Sequence, residues 1–400
     1  MKKVLTVINT LGRGGAEAAL IEMLKHFDAS EYELSLYVLM GQGEMIHKLP
    51  EYVEVKNLHY DDSSVLSALG KKHMTRQVIK AFFSRGSGFK NFFYLIKNLF
   101  VMINKRRIRA DKLLWRVLSD GGQVFKESFD LVIAYLEGGA TYYAVDHINA
   151  KKKVGFVHVD YTRAGYSRSL DKDCYLKLDK IFTVSDEVRD SFLKIYPECE
   201  EKTEVFHNFV NRDKICRLAE EGNGFTDDYK GVRILSVGRL AEQKSYEISI
   251  MAMKLLKEKG IDARWYVLGE GNQRTKLEGL IEKSGLKEDF LLLGVRDNPY
   301  PYMKQADIFV HASRFEGKSI AIQEAQILGC PIVVSDCSGN REQVTPYEDG
   351  ILKALTPQDI CDGILELIND VDLRKKLSDN AKNISTTDES EINKLTSLLI

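Results

Sequence analysis

The densest run of chemistry-bearing side chains is Phe309-Val310-His311-Ala312-Ser313-Arg314-Phe315-Glu316-Gly317-Lys318-Ser319-Ile320-Ala321-Ile322-Gln323-Glu324-Ala325. Its apolar opening predicts a strand ending near Val310, Gly317 a loop, and Ser319 the N-cap of a helix. A helix start offers unpaired backbone N–H groups and the positive end of its dipole, and Gly317 keeps the approach clear of a side chain, so the spot suits a phosphate. Glu316 and Glu324 bracket it, eight positions apart, a rise of about 12 Å if the stretch were all helix. A sugar joined through a diphosphate to a ribose spans that scale, with sugar hydroxyls donating to Glu316 and ribose hydroxyls to Glu324. Carboxylates touching the phosphates would repel them, so cations must come from elsewhere. Arg239 and Lys244, five apart in Val237-Gly238-Arg239-Leu240-Ala241-Glu242-Gln243-Lys244, sit on a strand-to-helix turn. There they can converge on the same phosphates and stabilise a departing nucleoside diphosphate without a divalent metal.

The elements that must position these residues follow from the hydrophobic pattern. Short β-branched runs at 4–8, 34–39, 131–135, 154–157 and 181–184 alternate with helical stretches. The pattern restarts at 232–237, 265–268, 290–293, 308–310 and 332–334, with helices such as 243–257 and 273–283. Alternation of this kind implies an α/β fold of two Rossmann-like domains with parallel sheets, facing each other across a cleft. The polar interval 208–230 marks the boundary. The expected division is 1–208 as the acceptor-side domain, 209–385 as the donor domain, and 386–400 as a segment crossing back to the first domain. Ligands bind at the carboxyl ends of such strands, so two facing domains predict a two-substrate enzyme.

The chain has 400 residues, 44% of them hydrophobic and 29% charged, which is ample for two cores and gives no case for disorder. Six scattered cysteines without a C-x-x-C pair or a histidine cluster indicate neither a disulfide framework nor a zinc site, and a cytoplasmic setting is expected. No run of about 18 apolar residues predicts a membrane span. Residues 71–120 break the rhythm: 13 Lys and Arg stand against Asp111 and Asp120, a net +11 in a chain whose total is −1. Phe89, Phe92, Phe93, Ile96, Leu99, Phe100 and Ile103 follow helical spacing within it. That combination suits an anionic membrane surface. The bland alternative is that the stripe packs on the first sheet and the charges are only solvated. No nucleic-acid motif accompanies the charge.

With these residues in view, the chain resembles the family 4 glycosyltransferases of the retaining GT-B type, similar to bacterial surface-polysaccharide enzymes. The Arg239 and Lys244 pair, the E-x7-E of Glu316 and Glu324, the Leu268-Gly269-Glu270-Gly271 turn and the Leu293-Gly294 turn stand in the family's order. The match is best from about Val232 to Val344. The resemblance implies Arg239, Lys244, Glu316 and His158 as catalytic residues, His158 closing Phe156-Val157-His158 near the transferred sugar. It implies Gly14, Gly15, Gly238, Gly269, Gly294, Gly317, Lys318, Ser319, Ile320 and Glu324 as donor-binding residues. Gly14 and Gly15 belong to a glycine-rich loop that is not the dinucleotide fingerprint, because Glu occupies position 17. The residues 205–210 match the family's inter-domain junction.

The donor implied is a nucleoside-diphosphate sugar, most simply a UDP-sugar, with no cofactor and no metal. The implied activity is that of a hexosyltransferase or N-acetylhexosaminyltransferase, and the acceptor a glycan or lipid-linked saccharide. Lys105, Arg106, Arg107 and Arg109 are expected to contact membrane or acceptor, which would hold the enzyme at the inner face of the plasma membrane. Lys318-Ser319 departs from the hydrophobic or glycine pair of many members. A sugar-nucleotide epimerase and a non-catalytic partner subunit are the rival readings. Removing Lys244 or Glu316 is expected to abolish turnover with little effect on melting.

Overall fold

The computed structural model describes residues 1–104, 106, 108–383 and 389–399. It divides into two compact units, one of Met1–Phe209 with Thr387–Ile400, the other of Val210–Thr386. Lys105 and Arg107 lie outside the described residues.

The first unit is built on seven strands, β1 (Lys2–Ile8), β2 (Tyr32–Val38), β3 (Glu54–Val55), β4 (Phe129–Ala134), β5 (Ala150–Val157), β6 (Lys180–Thr183) and β7 (Thr203–Val205). They lie in the order β3-β2-β1-β4-β5-β6-β7, and every pairing is parallel. Central strands of a sheet covered on both faces must be apolar throughout, and Leu131 to Ala134 are wholly buried. The described end of the chain is tied to this unit: the His207 amide donates to Glu391 at 2.8 Å, and Lys394 Nζ donates to the Val205 carbonyl at 2.7 Å.

The second unit carries β8 (Val232–Val237), β9 (Ala263–Leu268), β10 (Phe290–Gly294), β11 (Ile308–His311), β12 (Ile332–Ser335) and β13 (Ile351–Lys353). Their order is β10-β9-β8-β11-β12-β13, again all parallel. Side chains alternate between two cores, Ile234, Trp265 and Val310 on one face and Leu235, Tyr266 and Phe309 on the other. Strand order reverses between β8 and β11, which opens a crevice at their carboxyl ends. Ser236 fastens that junction: its hydroxyl donates to the Val310 carbonyl at 2.6 Å and accepts from the Trp265 indole at 3.0 Å.

The basic segment forms four helices between β3 and β4, namely Ala68–Phe83, Ser87–Lys90, Phe92–Asn104 and Ala110–Asp120. The face of Phe92–Asn104 that packs inward is Tyr94, Asn98 and Met102. The Tyr94 hydroxyl donates to the Leu170 carbonyl at 3.2 Å, and Asn98 accepts from Ser169 at 2.8 Å. The phenylalanine stripe points the other way, with Phe93 83%, Phe89 73% and Phe100 64% exposed. Packing of the stripe on the first sheet is therefore overturned.

Candidate functional site

Lys244 and Glu316 approach from the loops that follow β8 and β11, the two strands flanking the reversal of the second sheet. Lys244 Nζ lies 2.6 Å from Glu316 Oε1 and 3.2 Å from His311 Nε2. His311 closes β11, and its Nε2 is also 3.2 Å from Glu316 Oε1 and 3.3 Å from Ser319 Oγ. Burial alone would raise the Glu316 carboxyl, but the Lys244 ammonium and the imidazole overcome it and hold the group far below the usual carboxylate range. Burial, reinforced by the Lys244 charge, pushes the His311 imidazole down, so it stays neutral near pH 7. The three groups thus sum to about zero charge, and anion attraction must come from their surroundings.

Those surroundings are the helix Ile320–Ile327 and Arg239. Ser319 occupies the N-cap position, yet its side chain caps nothing. The N-cap position is as expected, but the hydroxyl is drawn to His311 instead of a backbone amide. The Ser319 amide donates to Gln343 Oε1 at 2.6 Å, and the Gln343 amide donates back to the Ser319 carbonyl at 2.9 Å. The following amides of Ile320 and beyond remain at the helix's positive end. Arg239 is exposed and forms no ion pair among the described residues. Lys244, by contrast, is committed to Glu316 and His311. Lys244 is thus neutralised by Glu316, while Arg239, five residues earlier in the chain, is exposed.

Glycines shape the rim. The Lys244 chain lies across Gly238, its Cε in ordinary contact distance at 3.5 Å from where a Cβ would be, with the Tyr246 hydroxyl tighter at 3.2 Å. At Gly269, φ is +153° and a Cβ would sit 2.0 Å from the Gly238 carbonyl oxygen, so only glycine fits. The Gly269 amide donates to the Gly294 carbonyl at 2.9 Å and the Gly238 amide to the Leu268 carbonyl at 3.0 Å, which ties the three turns into one edge. Below Glu316, its amide donates to the Ser338 carbonyl at 3.0 Å. A Cβ on Gly339, where φ is +82°, would come within 2.3 Å of the Gly317 carbonyl oxygen. Gln243 joins the two charged loops, donating to the Phe315 carbonyl at 2.8 Å. Gly317 is buried and Lys318 half-buried within this frame.

Glu324 lies apart from the cluster, just over one turn into the helix. The Tyr300 hydroxyl donates to its Oε1 at 2.9 Å. Burial pushes its carboxyl up to about 7, against the opposing effects of Tyr300 and the Lys214 charge. The two glutamates of the E-x7-E therefore behave oppositely: one is a locked carboxylate, the other changes charge near neutrality.

In the first unit, Gly14 and Gly15 open the helix Gly15–Leu24 at the carboxyl end of β1. His158 follows β5, with its amide donating to the buried Glu137 carboxylate at 3.1 Å. Its Nε2 is buried without a hydrogen-bond partner. Burial pushes the imidazole down to about 4, with a hydrogen bond to the Tyr135 backbone opposing. That bond places the proton on Nδ1 and leaves Nε2 as an acceptor in want of a donor. Arg106 and Arg109 of the basic segment are exposed.

Comparison with known proteins now bears on this geometry. Residues 225–384 match the family described as glycosyl transferases group 1. The match lies within the second unit, Val210–Thr386. A Campylobacter jejuni relative named N-acetylgalactosamine-N,N'-diacetylbacillosaminyl-diphospho-undecaprenol 4-alpha-N-acetylgalactosaminyltransferase is 32% identical over 210 residues, 52% of this chain and 56% of that protein. A second from the same organism, a GalNAc-alpha-(1->4)-GalNAc-alpha-(1->3)-diNAcBac-PP-undecaprenol alpha-1,4-N-acetyl-D-galactosaminyltransferase, is 24% identical and covers 96% of this chain and 93% of its own. The matches to the first three relatives span 45% to 64% of those proteins' own lengths, so the chain spans roughly half of each. The crystal structure of Anabaena Alr3699/HepE in complex with UDP-glucose has a TM-score of 0.68 at 17% identity, covering 99% of this chain and 98% of that one. The two parallel-sheet domains thus have the GT-B glycosyltransferase fold.

Within the second unit, three side chains carry no local sequence signal strong enough to single them out. His311 sits at the last position of a strand bordering the reversal, a location that could have drawn attention to it. Gln343 and Tyr300 lie outside any local motif, and only the fold brings them to Ser319 and Glu324.

Proposed function

We propose that the protein transfers a sugar from a nucleoside-diphosphate sugar, a UDP-sugar in the simplest case, to a hydroxyl of a lipid-linked or polysaccharide acceptor. The observation that carries this reading is the buried Lys244–Glu316 pair beside the start of the Ile320–Ile327 helix, at the reversal of the second sheet. Sugar hydroxyls would donate to Glu316, phosphate oxygens would meet the helix start and Arg239, and ribose hydroxyls would donate to Glu324. His158 Nε2 would accept a bond from a hydroxyl of the transferred sugar. The names of the two Campylobacter relatives, both of transferases acting on undecaprenol-diphosphate-linked saccharides, support an acceptor of that class.

In the transfer, the bond between the anomeric carbon and the β-phosphate oxygen breaks. The acceptor oxygen bonds to the same carbon on the same face, and its proton passes to the departing phosphate, so configuration is retained. Arg239 and the helix dipole stabilise the charge developing on the nucleoside diphosphate, and no divalent metal is required for that step. A panel of nucleotide sugars tested for protection against thermal unfolding checks the reading, because a ligand bound at 100 times its Kd adds about 2.7 kcal/mol. One donor should stand out and should yield a glycosylated acceptor of unchanged anomeric configuration. Isomerised nucleotide sugar from donor alone would replace this reading with epimerase chemistry.

A further inference from the structure

The helix Phe92–Asn104 is amphipathic in the wrong sense for a soluble protein, and that inversion asks for a partner. Its inward face carries Tyr94 and Asn98, both hydrogen-bonded, while Phe92, Phe93, Ile96, Leu99, Phe100 and Ile103 are exposed. At 100° per residue these six, with Phe89 of the preceding turn, fall within an arc of about 120°. Monomeric proteins rarely leave so continuous an apolar strip to water. Phe83, Ile79 and Ile108 on the neighbouring segments are exposed as well. Lys90 and Lys97 are exposed beside the arc, and Lys71, Lys72, Arg76, Lys80, Arg85, Arg106 and Arg109 are exposed on the same insertion. None of these nine forms an ion pair among the described residues.

We propose that this face docks the protein on an anionic lipid bilayer, the aromatic rings entering the headgroup boundary while the flanking lysines and arginines meet lipid phosphates. Charge decides the occupant. A second copy of the chain would set one segment of net +11 against another, which repels, whereas a negatively charged leaflet attracts it. Aromatic and aliphatic side chains beside basic ones are the chemistry of helices lying in the membrane plane. No helix among the described residues is long and apolar enough to cross a membrane, so the contact is peripheral. The inference stands apart from the donor site, and its test needs neither donor nor acceptor.

Flotation of the full chain with phosphatidylcholine vesicles, with and without phosphatidylglycerol, is the experiment. The protein should float with the anionic vesicles and stay behind with the neutral ones, and added salt should weaken binding. Phe93→Ser with Phe100→Ser should lower the bound fraction at least about tenfold, since each lost ring removes much apolar area. Melting should be unchanged, because both side chains face solvent. As an independent readout, Phe93→Trp should show blue-shifted emission on anionic vesicles alone. Failure of the wild type to float, or equal flotation of the double variant, overturns the proposal. So does a wild-type dimer that the double variant dissolves. A donor-induced melting shift measured on the same preparations separates a failed docking face from a failed donor site.

Discussion

Replacing Glu324 with Gln should make the protein more stable and a poorer binder of its donor, and both effects can be sized. Burial raises the carboxyl from an ordinary 4.5 to about 7. Between those values the folded chain holds a proton that the unfolded chain has released. Stability therefore falls as pH rises through this window, and the whole penalty is present above pH 7. A displacement of that size corresponds to about 3 kcal/mol, an upper figure because the side chain keeps some solvent contact. Gln keeps the shape and an oxygen for the Tyr300 hydroxyl while removing the charge. At pH 8 Glu324→Gln should raise the melting temperature by up to roughly 10 °C for a unit of this size, and at pH 4 by nothing. Donor affinity should move the other way, since a charged acceptor contributes about 1.5–3 kcal/mol, so the Kd should rise about 10- to 100-fold. Wild-type affinity should also weaken about tenfold per pH unit below 7, and the variant's should not. Calorimetry and differential scanning fluorimetry across pH 4 to 8 read all three. An unchanged melting profile refutes the strained carboxylate, and an unchanged donor Kd refutes its role at the ribose.

Lys244→Met should destabilise the second unit by about 3–5 kcal/mol, because it strands the buried Glu316 charge, contrary to the expectation that melting would hardly change. Adding Glu316→Gln should recover most of that loss without restoring turnover, and His311 in the single variant should titrate higher, as seen by imidazole NMR. His158→Phe should change melting little, since it removes a buried nitrogen without a partner together with the Nδ1–H bond to the Tyr135 backbone, while turnover drops by orders of magnitude; near-normal turnover would dismiss His158 from the sugar site. Gly339→Ala should displace the Glu316–Gly317 loop from its neighbour, costing roughly 2 kcal/mol or more from strain at positive φ, with kcat falling more than donor Kd rises.

Much of the architecture was legible because its central strands are buried on both faces and so carry uninterrupted apolar runs. β3, β7 and β13 were not found, and all three are edge strands of two or three residues, too short to show a period. The helix expected from 243 begins at Tyr246, since Glu242–Lys244 form a tighter turn and Ser245 adopts a left-handed φ of +44°. Spacing along the chain suggested a cation and a carboxylate near one diphosphate. It could not reveal that Lys244 reaches Glu316 directly, because that depends on β8 and β11 being neighbours. The phenylalanine stripe was visible as a period, but its direction was not, as both faces of that helix hold large side chains.

The Lys244–Glu316 pair joins positions 72 apart in the chain, and the intervening residues contain β9 and β10. Those two strands can add to β8 as soon as they exist, through connections of ordinary length, whereas β11 must return to the opposite side of β8. Lys244 thus leaves the ribosome 72 residues before the carboxylate that neutralises it. Glu316 and the helix Ile320–Ile327 both follow it in the chain. The cluster is therefore complete only once β11 lies beside β8.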